Sequence, residues 1–160
     1  MHYINVKLSS KGRYAVRALF DIAFYNEGQP TQVRDIAERQ GIPQRFLEQI
    51  FQDLKRSGIV GSKRGPQGGY LLARPAHEIA LGEVVRIIEG PVALGESSGT
   101  QNKQSDPHLT DGQRATDSIL AEVSEQLELC LNGVTIADVC TKADALGIRR
   151  PGAEGYSYSI

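Results

Sequence analysis

The strongest constraint in this chain is a pair of short helical patterns that meet at Gly41 and run into a hairpin with a basic, glycine-rich tip. Over residues 31–40, Val33, Ile36 and Ala37 recur at helical spacing, and Gly41 supplies the stop. Ile42-Pro43 opens the next helix, because proline suits the first helical position. That helix is predicted to run to about Ser57, with Phe46, Leu47, Ile50, Phe51 and Leu54 as its buried stripe and Gly58 as its end. Ile59-Val60 reads as a strand, Ser-Lys-Arg-Gly-Pro-Gln-Gly-Gly over residues 62–69 as a turn, and residues 70–73 as the returning strand. Helix, turn, helix and hairpin together are the winged-helix plan.

The flanking segments are helical too. Ser9 or Ser10 caps a helix beginning near Lys11, with Tyr14, Ala15, Ala18, Leu19, Ile22, Ala23 and Tyr25 at helical spacing. After Pro75, residues 79–89 read as a helix carrying Val84, Val85, Ile87 and Ile88. Residues 90–112 are polar and rich in glycine, serine and proline, a flexible loop of a length usually tied to function or disorder. Residues 113–132 form the longest clean helical pattern, with Ile119, Leu120, Val123, Leu127, Cys130 and Leu131 on one face. Residues 136–146 form a last short helix capped by Thr135, and residues 147–160 are a tail without periodicity. The predicted fold is mainly α with a small β-wing. A winged helix-turn-helix spans residues 6–75 and a second region, with its long helix, spans residues 76–146.

Charge divides at the same place. Residues 1–75 hold 12 Lys/Arg against 6 Asp/Glu, a net +6, whereas residues 76–160 hold 6 against 13, a net −7. A basic module joined to an acidic one points to a polyanion partner for the first half. At 40% hydrophobic and 23% charged residues the composition is that of an ordinary soluble protein, with no apolar run able to cross a bilayer and no signal-peptide pattern at the start. Two cysteines, Cys130 and Cys140, make no disulfide framework, so a reducing, cytoplasmic setting is expected. No nucleophile–base pair, metal-ligand spacing or phosphate loop is present, which argues against an enzyme.

The candidate DNA contacts follow from position. Gln44, Arg45, Glu48, Gln49 and Gln52 lie off the apolar stripe of the third helix. Arg can pair with guanine, Gln with adenine, and Glu can accept from the cytosine amino group in the major groove. Lys63, Arg64, Gly65, Gln67, Gly68 and Gly69 form the wing tip, where glycines let the backbone approach a phosphate or enter a minor groove. Lys11, Arg13 and Arg17 on the first helix are placed for flanking phosphates. Tyr70 reads as packing.

These motifs carry a family resemblance. Leu8-Ser-Ser-Lys-Gly-Arg-Tyr-Ala-Val-Arg-Ala, Asp35-Ile-Ala-Glu-Arg-Gln-Gly-Ile, Phe46-Leu-Glu-Gln-Ile-Phe and Arg64-Gly-Pro-Gln-Gly-Gly-Tyr-Leu-Leu resemble the IscR/CymR-like winged-helix transcription regulators, the Rrf-type family. Ile79-Ala-Leu-Gly-Glu-Val-Val, Glu89-Gly-Pro and Val134-Thr-Ile-Ala-Asp-Val continue the match, which covers about residues 6–140. The resemblance implies a homodimer on double-stranded DNA, built by exchange of the long helix. It implies that Glu48 and Gln49 read bases in the major groove while Arg64 and the wing glycines enter the minor groove.

The resemblance also sets up a departure. Many relatives are iron–sulfur sensors with three cysteines in the loop after the fourth helix; this chain has none there, and only His108, beside Asp106 and Asp111, stands near a ligand position. The expectation is therefore no cluster, no metal and no cofactor, with redox sensing through Cys130 or Cys140 left open. The cluster-free branch includes the repressor of cysteine metabolism, which this chain resembles at Glu89-Gly-Pro-Val and in a tail ending Tyr156-Ser-Tyr158-Ser-Ile160. Such tails resemble the end of serine acetyltransferase, whose terminal Ile enters O-acetylserine sulfhydrylase. That makes the sulfhydrylase an expected partner, through a free carboxylate and an apolar side chain. A winged helix serving mainly as a protein-interaction module is the remaining alternative.

Overall fold

The first helix, α1 (Ser10–Asn26), begins where Ser9 Oγ accepts from the Gly12 N–H, and it buries Ala15, Ala18, Leu19, Ile22 and Phe24. It is the central post of the fold: α2, α3, α4 and α6 all pack on it. The computed structural model describes residues 7–94 and 109–150. The order after α1 is α2 (Val33–Gln40), α3 (Gln44–Arg56), β1 (Val60–Lys63), β2 (Gly69–Leu72), a 3₁₀ turn (Ala76–Glu78), α4 (Leu81–Glu89), α5 (Asp111–Asn132) and α6 (Ile136–Ala145). The fold is mainly helical with one antiparallel hairpin, in the register Val60 opposite Leu72 through Lys63 opposite Gly69.

Gly41 closes α2 with its N–H on Ala37 O, and α3 follows at once with Pro43 as its cap rather than as its first turn. The α1–α2 angle is held by a buried charge. The Asp21 side chain is fully buried and accepts from Arg39 Nη2 at 2.6 Å, Arg39 Nε at 3.1 Å and Gln40 Nε2 at 2.7 Å. Paired and hydrogen-bonded charge is the form in which a buried carboxylate is tolerated. The bond to Asp21 in turn raises the Arg39 pKa above its ordinary value.

Leu47, Ile50, Phe51 and Leu54 line the buried face of α3 in one cluster with Leu19, Ile22, Ile36, Ile59, Val84 and Ile136. Four details differ from the sequence reading. Phe46 is not part of the buried stripe: it is 37% exposed, tilted toward Tyr14 with Arg45 over its ring. Thr31 is outside α2, exchanging backbone hydrogen bonds with Tyr70 at 2.8 and 2.9 Å. Ser62 and Lys63 belong to strand β1, and Gly69 to strand β2, rather than to the turn. The helix expected over residues 79–89 begins at Leu81, because Ile79 and Ala80 tie to Ile136 and Thr135 instead.

The long helix α5 opens with a capping box. Thr110 Oγ1 accepts from Gln113 N, and Gln113 Oε1 accepts from Thr110 N. Thr135 and Asp138 repeat the device at α6, and the Thr135 N–H holds the Asp138 pKa below its ordinary value. Among the described residues no helix is long and apolar enough to cross a membrane.

Candidate nucleic-acid interface

Amphipathicity divides α3 cleanly. With Leu47, Ile50, Phe51 and Leu54 fully buried, the helical period turns Gln44, Arg45, Glu48, Gln49 and Gln52 outward, and all five are exposed. Gln44 Nε2 donates to Glu48 Oε1 at 3.1 Å, and the Arg45 guanidinium lies 5.0 Å from the Phe46 ring centre. Both contacts are solvent-facing, so these groups can be drawn to base edges at small cost.

The wing is fastened to α3 from behind. Tyr70 on β2 stacks on Phe51 with ring centroids 4.2 Å apart and planes 11° from parallel. At the edge, Lys55 Nζ donates to Ser62 Oγ at 2.6 Å. The tip folds back where the Gly68 N–H meets Gly65 O, and Gln32 Nε2 donates to Pro66 O at 3.1 Å. Lys63, Arg64, Gly65 and Gln67 are exposed, Gly69 is half-buried, and Gly68 is buried against the Lys63 carbonyl. A groove of about 630 Å³ separates the tip from α2, bordered by Gln32, Arg39, Lys63 and Gln67.

The first helix is less available than its charges suggest. Lys11 Nζ pairs with Asp53 Oδ2 at 2.8 Å, tying α1 to α3. Arg13 donates to Ser10 Oγ at 3.2 Å and the Arg17 guanidinium donates to the Gln40 backbone carbonyl, and both remain exposed. Asp21, which ties α1 to α2, and Gln32 and Lys55, which tie the hairpin to its neighbours, carry no sequence signal apart from charge or polarity. His108 and the tail residues Tyr156, Tyr158 and Ile160 lie outside the described residues.

Cys130 is exposed on α5 and Cys140 half-buried on α6, where burial raises the thiol pKa. The thiolate is the nucleophile, so a raised pKa slows alkylation until the pH climbs past it. Iodoacetamide at neutral pH should modify the exposed Cys130 faster than the half-buried Cys140, read by mass spectrometry of the intact chain, with the gap narrowing in alkali. Equal rates at neutral pH would contradict the burial of Cys140.

Comparison with known proteins agrees with this geometry. The family described as "Rrf2: Iron-dependent Transcriptional regulator" matches residues 8–142. The HTH-type transcriptional regulator IscR of Serratia proteamaculans is 39% identical over 142 residues, 88% of this chain and 83% of that one. A solved structure of T. potens IscR superposes with TM-score 0.69 at 34% identity, covering 98% of both chains. That of CymR, the global cysteine regulator of B. subtilis, superposes with TM-score 0.70 at 28% identity, covering 86% of this chain and 98% of its own.

The donor set does not fit the iron centre that the family description brings to mind. Iron–sulfur clusters are held chiefly by thiolates. This chain has two cysteines in all, one on α5 and one on α6 and none in residues 90–112. Among the described residues no group of three or more His, Cys, Asp or Glu side chains converges on a point.

Proposed function

Because this chain belongs to the Rrf2 family of transcriptional regulators, we propose that it acts as a repressor, binding palindromic operators in duplex DNA as a homodimer. The observation that carries the reading is the pairing of an outward polar face on α3 with a basic wing, the two braced by the Phe51–Tyr70 stack. In this reading Glu48 and Gln49 contact base edges in the major groove, with Gln44 and Arg45 beside them. Arg64 and the glycines of residues 65–69 enter the minor groove, Lys63 and Gln67 flank them, and Arg13 meets a phosphate. Lys11 reaches a phosphate only by sharing its charge with Asp53.

The homodimer is supported by α5. Ile119, Val123 and Leu129 are 53%, 42% and 63% exposed on it, an apolar surface that a second copy would cover. A two-fold dimer requires a two-fold site. In the domain division that goes with this reading, residues 6–75 bind DNA, residues 76–146 pair the subunits and residues 147–160 form a separate tail.

The alanine variants of Gln49 and Arg64 test the assignment. Each should weaken operator binding by about 1–3 kcal/mol, roughly 5- to 150-fold, and relax preference at the base it contacts. Fluorescence anisotropy on operator duplexes reads the loss; unchanged affinity in both variants would overturn it.

The regulated process is proposed from two sides. The likeness to CymR and the segment Tyr156-Ser-Tyr158-Ser-Ile160 favour cysteine metabolism, with Tyr156, Tyr158 and Ile160 binding O-acetylserine sulfhydrylase. The higher identity to IscR favours an iron–sulfur or redox input, against which the missing cysteines stand. Titrating the sulfhydrylase with the intact chain and with one lacking residues 156–160 separates the two.

A further inference from the structure

We propose that the cavity between α4 and α5 is an effector site for a small organic anion with an apolar body. The cavity measures about 400 Å³, within the range of small-molecule sites, and its walls are mostly apolar: Leu8, Val85, Pro91, Leu127 and Leu131. It is formed within one chain. Leu94 N donates to the largely buried Ser124 Oγ at 3.0 Å, laying the segment after α4 on α5 as one wall. The exposed residues Ile119 and Val123, proposed to meet a second copy, are not among its lining.

The sign of the ligand follows from the charges beside the cavity. Lys7, an exposed residue, is part of the lining, and no ion pair to it forms within the described residues. The N-terminal end of α1 lies beside it, with its partial positive charge. The acid in the lining, Glu89, is already engaged: its Oε1 accepts from Ser9 N at 2.7 Å. That carboxylate sits so close to Gly12 that a Cβ there would fall 2.1 Å from Oε1. An anion entering the cavity competes with Glu89 for this positive end.

The same contact supplies a consequence. Glu89 ends α4 and grips the turn from which Lys11 and Arg13 project, and Lys11 is paired to α3 through Asp53. Displacing Glu89 loosens the seating of α1 against the reading helix. This consequence rests on the DNA-binding reading; occupancy of the cavity does not.

The test is calorimetric titration of the full-length chain with sodium octanoate, with 1-octanol as the uncharged control. The expected result is saturable binding of one octanoate per chain, at least about tenfold tighter than octanol. Cys130→Trp, at an exposed residue of the lining, should abolish binding without unfolding the chain, and Glu89→Gln should strengthen it by removing a like charge. N-ethylmaleimide on Cys130 in a Cys140→Ser background is the second block. Octanoate binding unchanged by both blocks overturns the proposal. So does binding seen only after residues 1–6 are deleted, which makes that segment the occupant, or binding lost as protein concentration rises, which makes it a second copy. Operator titration is read separately, so failure here leaves the DNA-binding reading intact.

Discussion

Replacing Phe51 with Ala should cost about 3–5 kcal/mol of folding stability, the range for a buried aromatic whose site cannot collapse. Phe51 is fully buried, lies in the central cluster between Ile50 and Leu54, and stacks on Tyr70 across the wing. Truncation therefore loses apolar burial and leaves a void between two elements with separate supports, α3 in the helical core and β2 in the hairpin. Small domains retain only about 5–15 kcal/mol in total, so roughly a fifth or more of the stability should go. Urea unfolding followed by circular dichroism will show it as a lower midpoint at unchanged slope. A loss below about 1 kcal/mol would mean that the wing relaxes onto α3 and that the stack does not brace them.

Gly69→Ala should be the most damaging single-atom-scale change in the wing. A Cβ at this position would lie 2.2 Å from Thr31 O and 2.4 Å from Thr31 C, and φ there is +147°. Both obstacles are backbone, so no side chain can swing aside. Relief requires breaking the Thr31–Tyr70 bridge, with its hydrogen bonds of 2.8 and 2.9 Å. Strain plus two lost hydrogen bonds should cost about 2–4 kcal/mol and detach the wing from the segment that leads into α2. Gly65→Ala is the internal control. Its φ of +110° is also glycine-favouring but nothing lies within 4 Å of a Cβ, so only the conformational cost, about 1 kcal/mol, applies. Equal stability of the two variants in urea titration would contradict the packing of β2 against Thr31.

The contrast between these glycines shows how far the sequence could be read. Periodicity located α3 and turned its polar residues outward, because a helix with one buried stripe has its other face fixed by geometry. The same logic placed α1, α5 and the Thr135 cap. Local pattern failed where a distant partner decides. Thr31 looks like the start of α2 and becomes a strand-like bridge because Tyr70 arrives beside it. Ser62 and Lys63 look like turn residues and become strand through pairing with Tyr70 and Gly69. Phe46 is apolar at a helical interval, yet it lies on the rim where Tyr14 and Arg45 shelter part of its ring. Asp21 was invisible for a related reason. An acid on an amphipathic helix reads as solvated until Arg39 and Gln40 fold over it.

The site was legible in kind and less so in availability. Lys11, Arg13 and Arg17 are equal as letters, but folding pairs Lys11 with Asp53 and half-buries it, while Arg13, bonded to Leu8 and Ser10, and Arg17, bonded to Gln40, stay exposed. Tertiary pairing of this sort redistributes positive charge toward the wing, where Lys63 and Arg64 stand clear.

The measurement that bears most directly on this account is selection of duplexes from a randomised library by the purified chain, followed by titration of the enriched site across a salt series. The account predicts a two-fold-symmetric site with half-sites centred about one helical turn apart. It also predicts a steep linear fall of log affinity with log salt, with a slope of about −0.9 per phosphate neutralised. No enriched sequence at any salt, or affinity indifferent to salt, would contradict it.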